Sequence, residues 1–351
     1  MNLIPKKMKA AVLVELHKPL EIIELDLPDN LGVGQVLVKV LFSGICGSQL
    51  GEIDGVKGDD KFLPHLMGHE GSGIVMEVGP GVSEVTSGDL VVLHWRKGLG
   101  IESSPPSYKW NGRKVNAGWI TTFSEYTIVS ENRLTKIPVE SDPKVVALFG
   151  CAVTTGFGVV TNNAALKIGE SVVIFGSGGV GLNIVQASAL SSAYPIIAID
   201  LHDNKLKLAE RMGATHLINA KERDARQAII EICPTGVDVF IDNTGKPSII
   251  EMGYEIVKPK GRVILVGVPK IGQNTSIYSL SMHFGKKMIG SHGGEAVPHE
   301  DIPRYLKLYQ SGRILLDELI THEFNLDDIN AAINGIRSGE VTGRCVINMA
   351  K

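Results

Sequence analysis

A glycine-rich turn near the middle of the chain, GSGGVG, constrains the fold more than any other short segment. It follows the apolar run SVVIF directly and opens into the helical pattern GLNIVQASAL. Glycines between a strand and a helix allow backbone N–H groups and a helix N-terminus to approach a pyrophosphate closely. Because the chain contains 40 glycines, the spacing alone would be weak evidence, but the strand-to-helix position predicts a dinucleotide-binding turn. The residues expected at the cofactor are Gly176, Gly178, Gly179, Val180 and Gly181.

The next apolar strand, PIIAID, ends in an acidic residue. Asp200 lies roughly 20 residues after Gly181, the usual spacing for the carboxylate that binds the adenosine ribose. A carboxylate at this place would repel the 2′-phosphate of NADP, so the sequence predicts NAD. From the residues alone, the alternative is a flavodoxin-like sheet in which the glycines only pack a turn.

The chain shows two different patterns of hydrophobic residues. Residues 8–150 form short alternating runs broken by glycine and proline, such as QVLVKVLF and DLVVLHW, which are typical of a β-rich domain. After about Gly150, apolar strands alternate with helical stretches, which predicts a parallel sheet with helices on both faces. From about Ile302 helices return, and the chain ends in the strand RCVINM. A length of 351 residues also favours two domains.

Composition excludes several classes of function. The chain is 44% hydrophobic and 21% charged with a net charge of −3, and it has no Lys/Arg stripe that would bind nucleic acid. The first residues read as a strand interrupted by charges, not as a signal peptide, and no run approaches the roughly 18 apolar residues of a membrane span. We therefore expect a cytoplasmic protein that acts on a small molecule, without nucleic-acid or membrane partners.

Several residues could bind a metal, but none of them taken alone is evidence for a metal site. His69 and Glu70 lie in the glycine-spaced segment LMGHEGSGIVMEVGPGV. The cysteines are too far apart in the sequence to suggest a disulfide framework, so any chemistry they perform is that of thiolates. An isolated cysteine, or a histidine beside glycine, is more often a packed side chain than a ligand. The four cysteines are Cys46, Cys151, Cys233 and Cys345.

Taken together, the motifs identify a family. The segments GICGS, GHEGSGIVMEVGPGV, SGD, FGCAVTTGFG and VVIFGSGGVGL occur in this order along essentially the whole chain, which resembles the zinc-dependent medium-chain alcohol dehydrogenases. The GCAVTTGFG segment and the tail GRCVINM are most similar to the glutathione-dependent formaldehyde and benzyl alcohol dehydrogenases. The resemblance implies a GroES-like β-rich catalytic domain of residues 1–154, completed by 292–351, with an inserted Rossmann NAD-binding domain of residues 155–291. It also implies an active site in the cleft between the domains, and we expect a homo-oligomer, either a dimer or a tetramer.

The resemblance assigns the metal site. The catalytic zinc ligands of the family match Cys46, His69 and Cys151, which leave a fourth tetrahedral position for water or a substrate oxygen. Glu70 corresponds to a carboxylate behind the zinc that can orient the ligands or transiently replace the water. Ser48 matches the hydroxyl that takes the proton of the alcohol. The matched pyrophosphate-binding arginine is Arg344, and the matched ribose-binding lysine is Lys205.

The chain departs from the family in two places. Where many relatives have an acidic residue beside the hydroxyl and a histidine shortly after, this chain has QLGE, so the onward proton path passes to Glu52 or His65. Residues 96–118 correspond to a lobe with four zinc-binding cysteines but contain none, so we read this segment as an ordered surface loop. We therefore expect one catalytic Zn²⁺ per chain and no structural Zn²⁺, with Cys233 and Cys345 as core thiols.

The predicted function is reversible NAD-dependent oxidation of an alcohol to an aldehyde or ketone. His94 and Trp95 match positions that face the substrate in relatives. Because a histidine there suggests a polar substrate, a biosynthetic dehydrogenase acting on a sugar, polyol or cyclitol hydroxyl is the alternative. A metal-free quinone or enoyl reductase, or a catalytically inert structural relative, is disfavoured by the intact set of metal ligands.

Overall fold

The computed structural model describes residues 5–349, and strands and helices cover most of this range. The strands are β1 (Lys7–Leu13), β2 (Glu21–Asp26), β3 (Gln35–Gly44), β4 (His65–Leu66), β5 (Glu70–Val78), β6 (Leu90–His94), β7 (Ser107–Trp110), β8 (Arg113–Asn116), β9 (Tyr126–Ser130), β10 (Leu134–Lys136), β11 (Val172–Phe175), β12 (Ile196–Asp200), β13 (His216–Asn219), β14 (Val237–Asp242), β15 (Val257–Leu265), β16 (Lys287–Gly290), β17 (Ile320–Asn325) and β18 (Arg344–Asn348). The α-helices are α1 (Gly47–Ile53), α2 (Pro143–Val146), α3 (Ala152–Gly158), α4 (Gly179–Leu190), α5 (Asp203–Arg211), α6 (Ala225–Ile232), α7 (Pro247–Ile256), α8 (Leu280–His283), α9 (Pro298–Gln310) and α10 (Ile329–Ser338).

The backbone forms two compact units. The first contains the residues up to Cys151 and those from Val297 onward, and the second contains Ala152–Ala296. Within residues 5–349, no single helix is long and apolar enough to cross a membrane; two consecutive helical segments, Pro143–Gly150 and Ala152–Asn163, reach that length and composition only together.

The first unit is built mainly from antiparallel strands, with β17–β18 and β4–β8 paired in parallel. A closed barrel has the strand order β1-β2-β7-β8-β4, and a seven-stranded sheet has the order β10-β6-β5-β3-β18-β17 with β9 also paired to β3. Alternation of apolar and polar residues places one face of each strand in a core, as in β1, where Met8, Ala10 and Val12 are buried beside Leu25 and Tyr108. The C-terminal strand β18 pairs antiparallel with β3, so the tail of the chain completes this unit.

The second unit is a doubly wound α/β structure. Its six strands are parallel and have the order β13-β12-β11-β14-β15-β16. Every residue of β11 and β12 is buried, as expected for strands covered by helices on both faces. The chain order reverses between β11 and β14, the place where such sheets bind ligands beyond the carboxyl ends of their strands. The glycine-rich turn follows β11 at this point.

Residues 96–118 are not simply a loop, which corrects the sequence interpretation. They contain the hairpin of β7 and β8, whose two-residue turn consists of Asn111 and Gly112, both with positive φ. An Asn-Gly pair between alternating residues is the strongest short-range signal for such a hairpin, and the sequence WNGR carries it. Tyr108 and Val115 are buried, and the Tyr108 hydroxyl accepts a hydrogen bond from the Ile128 N–H group.

A buried carboxylate fixes the segment that precedes this hairpin. Glu131 accepts hydrogen bonds from the backbone N–H groups of Ser83, Glu84 and Ile101 at 2.5, 2.6 and 2.8 Å. Burial acts to raise the pKa of this carboxyl group, but the hydrogen bonds outweigh it, so the pKa lies below its ordinary value. The ionised Glu131 side chain therefore ties two loops to one point of the sheet. Gly100 passes so close to Glu131 that a side chain there would collide with the carboxylate.

Replacing Glu131 by Gln is expected to lower the free energy of unfolding at neutral pH by about 2–3 kcal/mol, because charged hydrogen bonds are lost and one backbone N–H group faces an amide donor. Because the folded-state pKa is depressed, this contribution is fully present above the ordinary value near 4.3 and is lost as the pH falls through the folded-state pKa. Urea unfolding at neutral and acidic pH should show the stability difference narrowing in acid. The exposed Glu140→Gln variant is the control, and equal stability of Glu131→Gln and the unmodified protein at neutral pH would contradict the assignment.

Candidate metal centre and dinucleotide-binding turn

Three predicted metal ligands come together in the first unit. Cys46 precedes α1, His69 precedes β5 and Cys151 follows a 3-10 turn, yet their ligand atoms all lie within 4.8 Å of one another. Pairing of β3 with β5 brings Cys46 and His69 together. A Cβ at Gly150 would collide with the Leu93 carbonyl and with Glu70, so only glycine lets the Cys151 segment approach the sheet this closely.

The chemistry of these atoms fits Zn²⁺. Hydrogen bonding with Cys151 holds the pKa of the Cys46 thiol well below its ordinary value against the opposing effect of burial, and the positive charge of Arg344 adds to the shift. The His69 Nε2 atom is buried and has no hydrogen-bond partner among the described residues. A buried ring nitrogen that faces two sulfur atoms is placed to ligate a metal. Two thiolates and one imidazole are a donor set that zinc prefers, with a fourth position open.

Glu70 and Arg344, which the resemblance assigned to the zinc and to the pyrophosphate, form an ion pair with each other. Glu70 is fully buried and is not one of the three clustered donors; its carboxylate forms an ion pair with the Arg344 guanidinium, itself only 4% exposed. The reason is the sheet: β5 and β18 both flank β3, so the two side chains meet across Gly44. Arg344 thus pairs with Glu70, and the roles of Glu70 at the metal and of Arg344 at a pyrophosphate stay predictions.

The residues beside Cys46 on α1 surround the other nitrogen of His69. Ser48 is exposed, and its hydroxyl oxygen lies 3.5 Å from His69 Nδ1. Gln49 is buried; its side-chain oxygen accepts a hydrogen bond from the Cys46 N–H group at 2.8 Å, and its amide nitrogen contacts His69 Nδ1. Sequence reasoning gave Gln49 no role. The signal was available, because Gln three residues after a helix N-cap is typical of a capping box.

The candidate residues for the onward proton path also lie together. Glu52 follows Ser48 by one turn of α1, so both share a helix face. The Nε2 atom of His65 lies 2.9 Å from Asp60 Oδ2 and 3.9 Å from Glu52 Oε1. Burial raises the pKa of the Glu52 carboxyl group, and the nearby His65 opposes this effect. Asp60 was not anticipated from the sequence, because nothing in its local pattern distinguishes it from a surface residue.

His94 does not lie open to a substrate, which corrects its assignment to the pocket. The residue is 1% exposed, its Nδ1 atom lies 2.7 Å from the Arg96 carbonyl oxygen, and its Nε2 atom lies 2.9 Å from Thr135 Oγ1. Burial lowers the pKa of His94 to about 4, so the ring is neutral. Trp95 is half-buried against the apolar core of the sheet, and the Arg96 guanidinium lies 5.8 Å from the centre of its ring.

The predicted dinucleotide-binding turn joins β11 to α4 in the second unit. Gly176 has a φ of 98°, which favours glycine, and Gly178 is the N-cap of α4 with open space where a side chain would stand. A Cβ at Gly181 would collide with the Gly176 carbonyl oxygen. Gly176 therefore permits a left-handed turn, Gly178 leaves room for a ligand, and Gly181 lets α4 pack closely. Gly179 and Val180 form the first turn of α4.

Asp200 is held next to this turn. Its carboxylate accepts hydrogen bonds from the N–H groups of Ser177 at 2.8 Å, Leu201 at 2.7 Å and His202 at 3.2 Å. Because β12 lies beside β11 in the sheet, the end of one strand approaches the turn that follows the other. Lys205 is half-buried in the first turn of α5, five residues further on.

The other two cysteines lie away from the metal-ligand cluster. Burial raises the pKa of the Cys345 thiol to about 11 and also raises that of Cys233. Among residues 5–349, three or more metal-donor side chains meet in two places, neither of them within residues 96–118. These two groups are Cys46 with His69 and Cys151, and Glu52 with Asp60 and His65.

Two families of known proteins match separate parts of the chain. Residues 32–139 match the alcohol dehydrogenase GroES-like domain, and residues 179–311 match the zinc-binding dehydrogenase domain. Together the two matches cover most of both structural units.

Individual relatives match over nearly their full length. The S-(hydroxymethyl)glutathione dehydrogenase of Synechocystis sp. is 34% identical over 362 residues, covering 95% of this chain and 98% of the relative. The crystal structure of benzyl alcohol dehydrogenase from Acinetobacter calcoaceticus is similar with a TM-score of 0.87 at 30% identity, covering 98% of this chain and 100% of the other. An alcohol dehydrogenase zinc-binding domain protein from Burkholderia ambifaria gives a TM-score of 0.89 at 30% identity, covering 98% and 99%.

These similarities confirm the predicted family and fold class. The chain belongs to the zinc-dependent medium-chain alcohol dehydrogenases, a family of oxidoreductases that combine a GroES-like domain with a Rossmann-type NAD-binding domain.

Proposed function

We propose that this protein is an NAD-dependent alcohol dehydrogenase with one catalytic zinc ion per chain, which interconverts an alcohol and an aldehyde or ketone. The observation that carries the proposal is the cluster of Cys46, His69 and Cys151, in which a buried ring nitrogen faces two sulfur atoms within 4.8 Å. The names of the relatives, which include an S-(hydroxymethyl)glutathione and a benzyl alcohol dehydrogenase, support an alcohol as the substrate. The expected homo-oligomer and cytoplasmic location stay predictions.

Each of several residues in the first unit has a different proposed role at this cluster. When bound, zinc polarises the substrate oxygen and NAD accepts the hydride. Ser48, exposed beside His69, is placed to take the proton of the alcohol at its hydroxyl oxygen. Glu52, one helical turn further on and 42% exposed, is placed to pass that proton on to solvent, and partial desolvation raises its pKa. The ion pair of Glu70 and Arg344 holds the strand ends behind the ligands.

Support for a sugar, polyol or cyclitol substrate is weaker than the sequence suggested. His94, the main polar residue behind that alternative, is buried with both ring nitrogens within hydrogen-bond distance of protein oxygens. Lys109 and Arg113 remain exposed on the hairpin of β7 and β8.

Replacing Cys151 by Ala is expected to remove bound zinc and turnover together, because the ion loses one of three protein ligands. Elemental analysis should give about one zinc per chain for the unmodified protein and far less for the variant. Formation of NADH, followed by absorbance, should fall in parallel across a panel of primary alcohols, thiol adducts of formaldehyde, polyols and sugars.

The control is Cys233→Ala, since the Cys233 thiol lies outside the cluster and should leave both quantities nearly unchanged. Two zinc ions per chain would contradict the single site. No zinc with full activity would favour the metal-free reductase instead.

Replacing Asp200 by Ser is expected to narrow the preference for NAD over NADP. The unmodified protein should favour NAD by roughly a hundredfold, since charge-assisted hydrogen bonds contribute about 1.5–3 kcal/mol each. Titration of both cofactors measures the two dissociation constants. The exposed Asp203→Ser variant, three residues away, loses the same charge and should keep the preference. Equal binding of both cofactors by the unmodified protein would refute the assignment.

Replacing Ser48 by Ala is expected to lower turnover by about 100-fold or more, because a positioned proton acceptor is lost. Zinc content and NAD affinity should stay unchanged, since Ser48 is not one of the clustered ligands. Ser48→Thr retains the hydroxyl and should keep most of the activity. Unchanged turnover of the alanine variant, at a pH where hydride transfer limits the rate, would move the proton acceptor to another group.

A further inference from the structure

Gln49 connects one metal ligand to another through a buried side chain. It is only 2% exposed, and its amide lies between the start of α1 and the His69 ring. The Cys46 backbone N–H group is a donor only, so the Gln49 atom that lies 2.8 Å from it must be the oxygen. The amide NH₂ group is therefore the part that faces His69.

This orientation selects one form of the His69 ring. An NH₂ group only donates, so the Nδ1 atom that it contacts must offer a lone pair, and the proton of the neutral ring is then on Nε2. Nε2 is the buried atom that faces the two sulfur atoms. Without metal, the neighbours of His69 thus favour the ring form in which the ligating nitrogen carries the proton.

Metal ligation requires the opposite form. Zinc binds the lone pair of Nε2, which moves the proton to Nδ1, where it meets the NH₂ group of Gln49. The Gln49 oxygen is held on the side of the Cys46 N–H group, so the Nδ1–H group would face the two N–H donors of the amide and not its oxygen. Ser48 Oγ, at 3.5 Å from Nδ1, is at the outer limit of a hydrogen bond. A carboxylate at position 49 has two oxygens and would accept from both groups.

We propose that Gln49 is a positioning residue that weakens the hold of this cluster on zinc and makes the metal exchangeable. The inference rests on the proposed function, which identifies the ligands. It goes beyond that function because it attributes the zinc affinity of the cluster to one neutral side chain. Residues that hydrogen-bond to a ligating histidine typically change metal affinity by about 10- to 100-fold. The same range is expected here.

The test is the variant Gln49→Glu, which keeps the shape of the side chain and replaces the NH₂ group by an acceptor. Competition with a chromogenic zinc chelator, at one fixed pH, should show zinc bound about 10- to 100-fold more tightly than by the unmodified protein. Gly47→Glu is the matched control, because Gly47 is exposed beside Cys46 with open space where a Cβ would stand, so the variant adds the same charge near the cluster and leaves the Gln49 amide in place. Unchanged affinity of Gln49→Glu, or an equal gain in Gly47→Glu, would overturn the proposal.

A second measurement does not depend on the variant folding. The ¹⁵N chemical shifts of the His69 ring in the zinc-free, unmodified protein should report the proton on Nε2, and zinc should move it to Nδ1. A zinc-free ring that already carries its proton on Nδ1 would overturn the inference. If neither the variants nor the unmodified protein bind zinc, the proposed function and the role of Gln49 towards zinc both fail. If zinc binds but the two affinities are equal, only the role of Gln49 fails.

Discussion

The buried ion pair between Glu70 and Arg344 is the constraint on which the candidate metal centre depends. It joins the start of β5 to the start of β18, the last strand of the chain, across Gly44 of β3. A buried charge without its partner is strongly unfavourable, so separating the two strand ends would cost free energy. Cys46 and His69 adjoin β3 and β5, so the ion pair also holds the ligands that these strands carry.

Close backbone approach is the second condition for both candidate sites. Gly44, Gly150 and Gly181 each occupy a place where a Cβ would overlap a carboxylate or a carbonyl oxygen. At the metal cluster this brings three distant segments to within reach of one ion, and at the dinucleotide-binding turn it lets α4 pack against the end of β11. Glycine at these positions sets how closely the neighbouring segments approach each other. A larger residue there would push the segments apart, and no change elsewhere would restore the distance.

The sequence predicted the fold class and the family because their signals are local and ordered along the chain, and both are confirmed. It did not predict that Glu70 pairs with Arg344, since that contact depends on the neighbours that β3 acquires in the sheet. His94 was assigned to the pocket from a matched position, whereas its neighbours Thr135 and Arg96 enclose it. The hairpin at Asn111 was missed although its signal was local.

Charge balance at the metal cluster gives a reason for a neutral residue at position 49. Two thiolates offset the charge of a divalent cation, and Glu70 with Arg344 forms a pair that is neutral as a whole. A carboxylate in place of Gln49 would hold zinc more tightly, but it would add a negative charge close to the place where a substrate oxygen becomes negative. In a buried site that repulsion opposes loss of the alcohol proton. On this proposal, an amide at position 49 adds no charge to the site and holds zinc less tightly than a carboxylate would.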